Sequence, residues 1–257
     1  MLKALDLSGR VAVVIGGTSG LGRAIAIGLA EAGADVVSSG RRQNLVDEVS
    51  DAIERAGRRT LRVTVDVMNR SSINAARDRV LAHFGQIDIL VNAAGRIAKK
   101  PTKDLPEAEW GETIETNVTG ILRACQAFYE PLARSGHGRI INIVSLTSFV
   151  SFKEVAAYSA SKSALLSLTR SLGTEWAPDG INVNAIAPGV FRTDLNKNLL
   201  DSTDRGRELL MRTPIRRFGK AEELVGAAVL LASDAASYIT GQCIVVDGGF
   251  LASGVNT

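Results

Sequence analysis

Short apolar, β-branched runs alternate with longer amphipathic stretches along the whole chain. The runs fall near 11–16, 35–39, 61–65, 87–91, 139–144, 181–187 and 243–246, and the amphipathic stretches near 20–32, 42–56, 70–84, 107–134, 154–176 and 221–232. A run as continuously apolar as Ile87-Asp88-Ile89-Leu90-Val91 suits a strand covered on both faces, and a helix between successive strands is the crossover that parallel pairing requires. The pattern predicts an α/β fold, a doubly wound seven-stranded parallel sheet with six helical crossovers, in a single domain over 1–257. The stretch 190–220 has no strand run, is more polar, and holds Gly206, Pro214 and Gly219. It is expected to cap the carboxyl edge of the sheet near the substrate.

Composition supports this and removes several classes of function. At 257 residues and 46% hydrophobic content the chain can bury a large core, and no Pro/Ser-rich linker or charge block divides it. The net charge is only +3, with Lys and Arg interleaved among Asp and Glu, which argues against a nucleic-acid partner. Cys125 and Cys243 lie in apolar stretches without metal-ligand spacing to either histidine, so they are expected to be buried thiols in a reducing compartment, with no metal site. No signal layout is present at the start and no apolar run is long enough for a membrane span. The expectation is a soluble cytoplasmic protein without a membrane partner.

Ligands on such a sheet bind beyond the carboxyl ends of the strands. The first exit reads Gly16-Gly17-Thr18-Ser19-Gly20-Leu21-Gly22 and opens a helix, which suits a dinucleotide pyrophosphate approached by backbone and a helix dipole. At the second exit an NAD site would carry an acid for the ribose hydroxyl, but this chain has Arg41 and Arg42, and Asp35 lies at the far end of that strand. Two guanidinium forks suit a 2′-phosphate, so NADP(H) is favoured over NAD(H). The third exit offers Asp66 and Val67, with Asp66 either at an adenine edge or as a helix N-cap. After the fifth run comes Ser145, and thirteen residues on Tyr158-Ser159-Ala160-Ser161-Lys162 lies in a helical stretch. Tyr158 and Lys162 then share one helix face. An ammonium beside a phenol lowers the phenol pKa, and the phenol can exchange a proton with a carbonyl or alcohol oxygen that Ser145 orients.

With these residues in place the chain resembles the short-chain dehydrogenase/reductase family almost end to end. The resemblance rests on Gly16-x-x-x-Gly20-x-Gly22, Asn92-Ala93-Ala94-Gly95, Asn117, Ser145, Tyr158-x-x-x-Lys162, Pro188-Gly189 and Asp247-Gly248-Gly249, in order and spacing. It implies a Rossmann fold with Tyr158 as acid/base, Lys162 lowering its pKa and holding the nicotinamide ribose, Ser145 positioning the reacting oxygen, and Asn117 holding a relay water. It further implies that Phe191, through its backbone, and Thr193 meet the carboxamide, and that the enzyme is a homotetramer. Two positions depart from the family pattern: Ile15 replaces Thr and Ala93 replaces a second Asn. These are hydrogen-bonded to each other in the family, and their joint loss is expected to be nearly neutral.

For the substrate, the loop after Gly95, the stretch 146–153 with Thr147, and the 190–220 cap are the expected walls. In the sugar-acid subset of the family, such as gluconate 5-dehydrogenases and deoxy-ketogluconate dehydrogenases, that loop carries two arginines. Counting from Gly95 puts them at Ala98 and Lys99, so a substrate carboxylate would meet Lys99, helped by Arg96 or Arg192, with Lys100 at the rim. The alternatives are reduction of 3-oxoacyl groups on an acyl carrier protein, and a non-catalytic dinucleotide sensor. Against the first stands the region 175–184, acidic ahead of Ile181-Asn182-Val183-Asn184 where such reductases tend to keep a basic residue; against the second stands the full Asn117, Ser145, Tyr158, Lys162 set.

Overall fold

Residues 3–192, 200–201 and 203–255 are described by a computed structural model of the chain. Six strands, β1 (Val11–Ile15), β2 (Asp35–Ser39), β3 (Ile89–Asn92), β4 (Gly138–Ile143), β5 (Ile181–Pro188) and β6 (Cys243–Val246), form one sheet in the order β2-β1-β3-β4-β5-β6. All neighbouring pairs are parallel. Between them run α1 (Gly20–Glu31), α2 (Gln43–Arg55), α3 (Arg70–Phe84), α4 (Glu107–Ile114), α5 (Gly120–Ser135), α6 (Ala156–Glu175), α7 (Asp204–Met211) and α8 (Val225–Ala232).

Successive strand side chains point to opposite faces, so each central strand feeds two cores. Val11, Val13 and Ile15 pack with Ile73 of α3, Phe128 of α5 and Leu165 of α6. Ala12, Val14, Ile89 and Val91 pack with Ile25 and Leu29 of α1, Ile53 of α2 and Val229 of α8. Because both faces are covered, the strands read as unbroken apolar runs, and the fold is the doubly wound, Rossmann-like α/β class. No helix of the described residues is long and apolar enough to cross a membrane.

The expected seventh strand at 61–65 is absent as a strand among the described residues. This segment runs beside β2, and the backbone contacts flank it: the Val36 N–H donates to Arg59 O (3.1 Å) just before the segment, and the Val65 N–H donates to Gly40 O (3.0 Å) just past β2. Val63 and Val65 are buried while Arg62 and Thr64 face solvent, so the β-branched alternation records packing without a ladder. Charge fastens the segment instead. Asp35, 6% exposed at the start of β2, accepts from Arg59 N (2.9 Å) and Nε (2.7 Å) and pairs with Arg58 (3.4 Å), while Arg62 pairs with Asp51 (2.5 Å) and Glu54 (2.7 Å).

The expected helix 107–134 is present with one modification. A single π turn, Glu115–Thr119, joins α4 to α5 and contains Asn117. Extra residues of this kind re-aim a side chain and recur at functional sites. Cys125 is buried, but Cys243 is only half-buried because β6 is an edge strand bonded to β5 alone. Burial pushes the two thiols up to about 12 and about 11.

Asp35→Ala is expected to lower unfolding stability by about 2 kcal/mol through the loss of buried charge-assisted bonds. Dinucleotide affinity should not change, since Asp35 lies level with Val11 at the far end of the sheet; denaturant unfolding and a ligand titration check both halves.

Candidate active site

The strand order reverses between β1 and β3, where Ile15 and Asn92 are register partners, so the two loops leaving these strands face each other. Their separation is set by glycine. Gly16 has φ +83°, and a Cβ there would lie 2.3 Å from Ala94 N; a Cβ on Gly22 would lie 2.2 Å from Gly16 O and 3.0 Å from Ala93 Cβ. The loops are joined by backbone alone, the Ala93 N–H donating to Ile15 O (2.8 Å). Ile15 and Ala93 pack into opposite cores, which leaves no polar side chain unpaired at either position.

Ser19 and Gly20 are exposed and Leu21 is half-buried. Ser19 precedes α1 without making a side-chain cap, and the first turn of α1 has no acid. Its N–H groups and positive dipole end are therefore available to an anion. Thr18 is buried beside Gly40 at the exit of β2. Just beyond, Arg41 and Arg42 are exposed, and among the described residues neither guanidinium makes an ion pair or side-chain hydrogen bond. Glycines that a Cβ would close, an uncapped helix start and two unpaired arginines fit a phosphorylated dinucleotide.

Asp66 is half-buried and accepts from the Met68 N–H (3.0 Å). It is not a helix cap, because Asn69 caps α3 by accepting from Ser71 N (2.9 Å) and Ser72 N (3.3 Å). Val67 is buried against Gly120. The Asn92 side chain, 1% exposed, donates to Asn142 Oδ1 (2.9 Å) and Cys125 Sγ (3.4 Å). Ala93, Ala94 and Gly95 are left to form the wall opposite the glycine turn.

Ser145 leaves β4 and accepts from the Thr147 N–H (3.2 Å). Tyr158 and Lys162 lie one turn apart on α6, with Lys162 Nζ 5.7 Å from the Tyr158 ring centroid. Lys162 is 4% exposed; its ammonium donates to Ile143 O (2.7 Å) and has no carboxylate partner among the described residues. Burial pushes it down to about 8. Burial raises the Tyr158 phenol above its ordinary value, and its hydrogen bond with Ser145 opposes this.

Asn117 stitches the site together. Its Oδ1 accepts from Arg96 N (2.8 Å), while Nδ2 donates to Arg96 O (2.9 Å) and Ser161 Oγ (2.9 Å). Ser161 donates in turn to Tyr158 O (2.7 Å). A Cβ on Gly95 would sit 3.5 Å from Asn117 Oδ1 and 3.6 Å from Lys162 Nζ, so the glycine lets these groups face one space. Ser161 was not among the expected site residues, although its spacing of three from Tyr158 puts it on the same helix face.

The cations after β3 are already occupied. Arg96 pairs with Glu112, Lys99 with Glu154 (3.6 Å) and Lys100 with Glu109 (2.6 Å). Arg192 holds Asp201 through two bonds (2.9 and 2.6 Å). Each of these cations, Lys99 included, thus faces an acid that the fold brings near. Thr147 is buried with Oγ1 lacking a partner. Pro188 ends β5, and Gly189 packs so closely on Asp247 that a Cβ would reach its Cα at 2.5 Å. Asp247 itself accepts from Gly249 N and Leu251 N, a structural role for the late Asp-Gly-Gly. Phe191 is buried and bridges to Gly219, joining the two ends of the cap. Thr193 and the cap residues 193–199 lie outside the described residues.

A family model described as Enoyl-(Acyl carrier protein) reductase matches residues 16–251. The 2-dehydro-3-deoxy-D-gluconate 5-dehydrogenase of Dickeya dadantii (strain 3937) is 40% identical over 98% of this chain and 99% of its own. The 3-oxoacyl-(acyl-carrier-protein) reductase FabG of Escherichia coli (strain K12) is 36% identical over 95% and 98%. Among solved structures, a gluconate 5-dehydrogenase from Burkholderia cenocepacia J2315 in complex with NADP and tartrate superposes with a TM-score of 0.94 at 36% identity, covering 98% of this chain and 99% of that one. With the glycine turn, the Tyr158/Lys162 helix face and these full-length likenesses together, the chain belongs to the short-chain dehydrogenase/reductase family of oxidoreductases.

Proposed function

We propose that this protein interconverts a ketone and a secondary alcohol on a sugar acid with NADP(H), 5-ketogluconate and gluconate being a representative pair. The observation that carries the reading is Lys162: an ammonium buried at 4% exposure, without an acidic partner among the described residues, one helical turn from Tyr158. A buried cation left uncompensated is costly, and belongs where negative charge forms during turnover. A bound dihydronicotinamide supplies the hydride. Tyr158 gives its proton to the carbonyl oxygen as the carbon accepts that hydride, and Ser145 hydrogen-bonds the same oxygen and fixes its direction. The phenolate left behind is where the Lys162 charge acts, so the pair stabilises a state that exists only after proton transfer. Asn117 is a positioning residue, since both its amide hydrogens are committed to Arg96 and Ser161.

Arg41 and Arg42 support NADP(H), as does the NADP in the Burkholderia structure. The sugar-acid reading draws on the Dickeya relative and on the tartrate, a hydroxy acid, in that same structure, together with Lys99 at the loop after β3. The second reading is 3-oxoacyl-carrier reduction, supported by the likeness to the Escherichia coli reductase.

Purified protein should oxidise NADPH when given 5-ketogluconate; turnover confined to acetoacetyl thioesters would favour the second reading. Tyr158→Phe should cut kcat by about a hundredfold or more while leaving the Kd for NADPH unchanged, and retained turnover would refute its role. Arg41→Ala should raise the Kd for NADPH about tenfold and leave that for NADH unaltered, as fluorescence titration with both cofactors would show.

A further inference from the structure

Residue 154 stands out in three respects. Glu154 adopts φ +70°, one of only two non-glycine residues with positive φ among the described residues, a conformation that side chains with a Cβ resist. Its carboxylate lies between two cations on different segments: Oε2 is 3.6 Å from Lys99 Nζ in the loop after β3 and 3.9 Å from Arg205 Nη1 in α7 of the cap. Its backbone oxygen accepts from the Lys100 N–H (2.8 Å), while Arg205 also donates to Lys153 O (3.3 Å). One residue thereby links both walls of the site to the turn that leads into α6, four positions before Tyr158.

Beside it opens a cavity of about 730 Å³ whose lining includes Thr102, Phe152, Glu154 and Ser159. Lysine and arginine converging on one carboxylate is the arrangement that recognises a carboxylate ligand, but here the chain provides the carboxylate itself. Both separations exceed those of a tight charge-assisted bond, and the Glu154 side chain is 29% exposed, so the contact is exchangeable.

We propose that Glu154 is an internal stand-in for the substrate carboxylate: Lys99 and Arg205 form the site for an acidic substrate, and Glu154 competes with that substrate for them. This deepens the sugar-acid reading and rests on it. The competition costs affinity for every carboxylate and none for a neutral polyol, so Glu154 sets how selectively the site admits anions. No proton or hydride step involves it.

The test is calorimetric titration of the NADPH-loaded enzyme, in which gluconate has no hydride acceptor and is not turned over, with gluconate and with sorbitol, its neutral counterpart. Glu154→Gln keeps the size and hydrogen-bonding reach of the side chain and removes the competing charge; it should tighten gluconate about tenfold while leaving sorbitol unchanged. Arg205→Gln should weaken gluconate by a similar factor, again without affecting sorbitol, and a thermal melt verifies that each variant is folded. An unaltered gluconate Kd in folded Glu154→Gln, equal shifts for both ligands, or no gluconate binding by any variant would overturn the proposal. The two readings can fail separately. Wild-type turnover of 5-ketogluconate with no Glu154 effect on gluconate removes only the stand-in, whereas tightened gluconate binding without any keto-acid turnover removes only the substrate assignment.

Discussion

The charge of Lys162 is the constraint around which the site is organised. Its ammonium is nearly sealed from water, with one backbone carbonyl, Ile143 O, at 2.7 Å as its hydrogen-bond acceptor. A carboxylate placed beside it would stabilise the fold but would quench the charge needed when Tyr158 loses its proton. The surroundings instead consist of neutral dipoles and close backbone. Gly95 has no side chain to fill the space that Asn117 Oδ1 and Lys162 Nζ share, and the π turn at Glu115–Thr119 brings Asn117 into position to hold the Arg96 backbone and Ser161. The result is a lysine held near about 8, well below a solvated ammonium, in a frame with few ways to relax.

The sheet makes such a site possible. Parallel strands buried on both faces send their carboxyl ends to one edge, and the order reversal between β1 and β3 opens the crevice there. Backbone contacts too short to allow any Cβ at Gly16 and Gly22 bring the two loops together. Much of the cost of assembling the site is therefore borne by the central strands, whose packing is independent of any ligand, and ion pairs such as Asp35 with Arg58 and Arg59 fasten the periphery.

Much of this was legible in the sequence because it depends on local spacing. Strand runs, the glycine turn, and Tyr158 and Lys162 on one helix face follow from periodicities of two and about four residues. What was not legible depends on contacts between distant segments. The run at 61–65 has the composition of a strand, but no ladder forms: the backbone bonds near β2 are those of Arg59, before the run, and of Val65 to Gly40, beyond β2. Arg96, Lys99 and Lys100 read as a cationic mouth, yet Glu112, Glu154 and Glu109 reach them across loops. Asn92 belongs to a family motif at the cofactor wall, yet its side chain faces Asn142 inside the sheet.

The pH dependence of kcat/KM for keto-acid reduction by the NADPH-loaded enzyme tests most directly whether the Lys162 charge serves Tyr158. Below about 8 both Lys162 and Tyr158 hold their protons and reduction proceeds; as pH rises through that value Lys162 loses the charge that stabilises the phenolate, and the rate should fall. A plateau at neutral pH with a descending limb above about pH 8 is the expected result. A rate that stays level or climbs through that range would contradict the coupling of Lys162 to Tyr158.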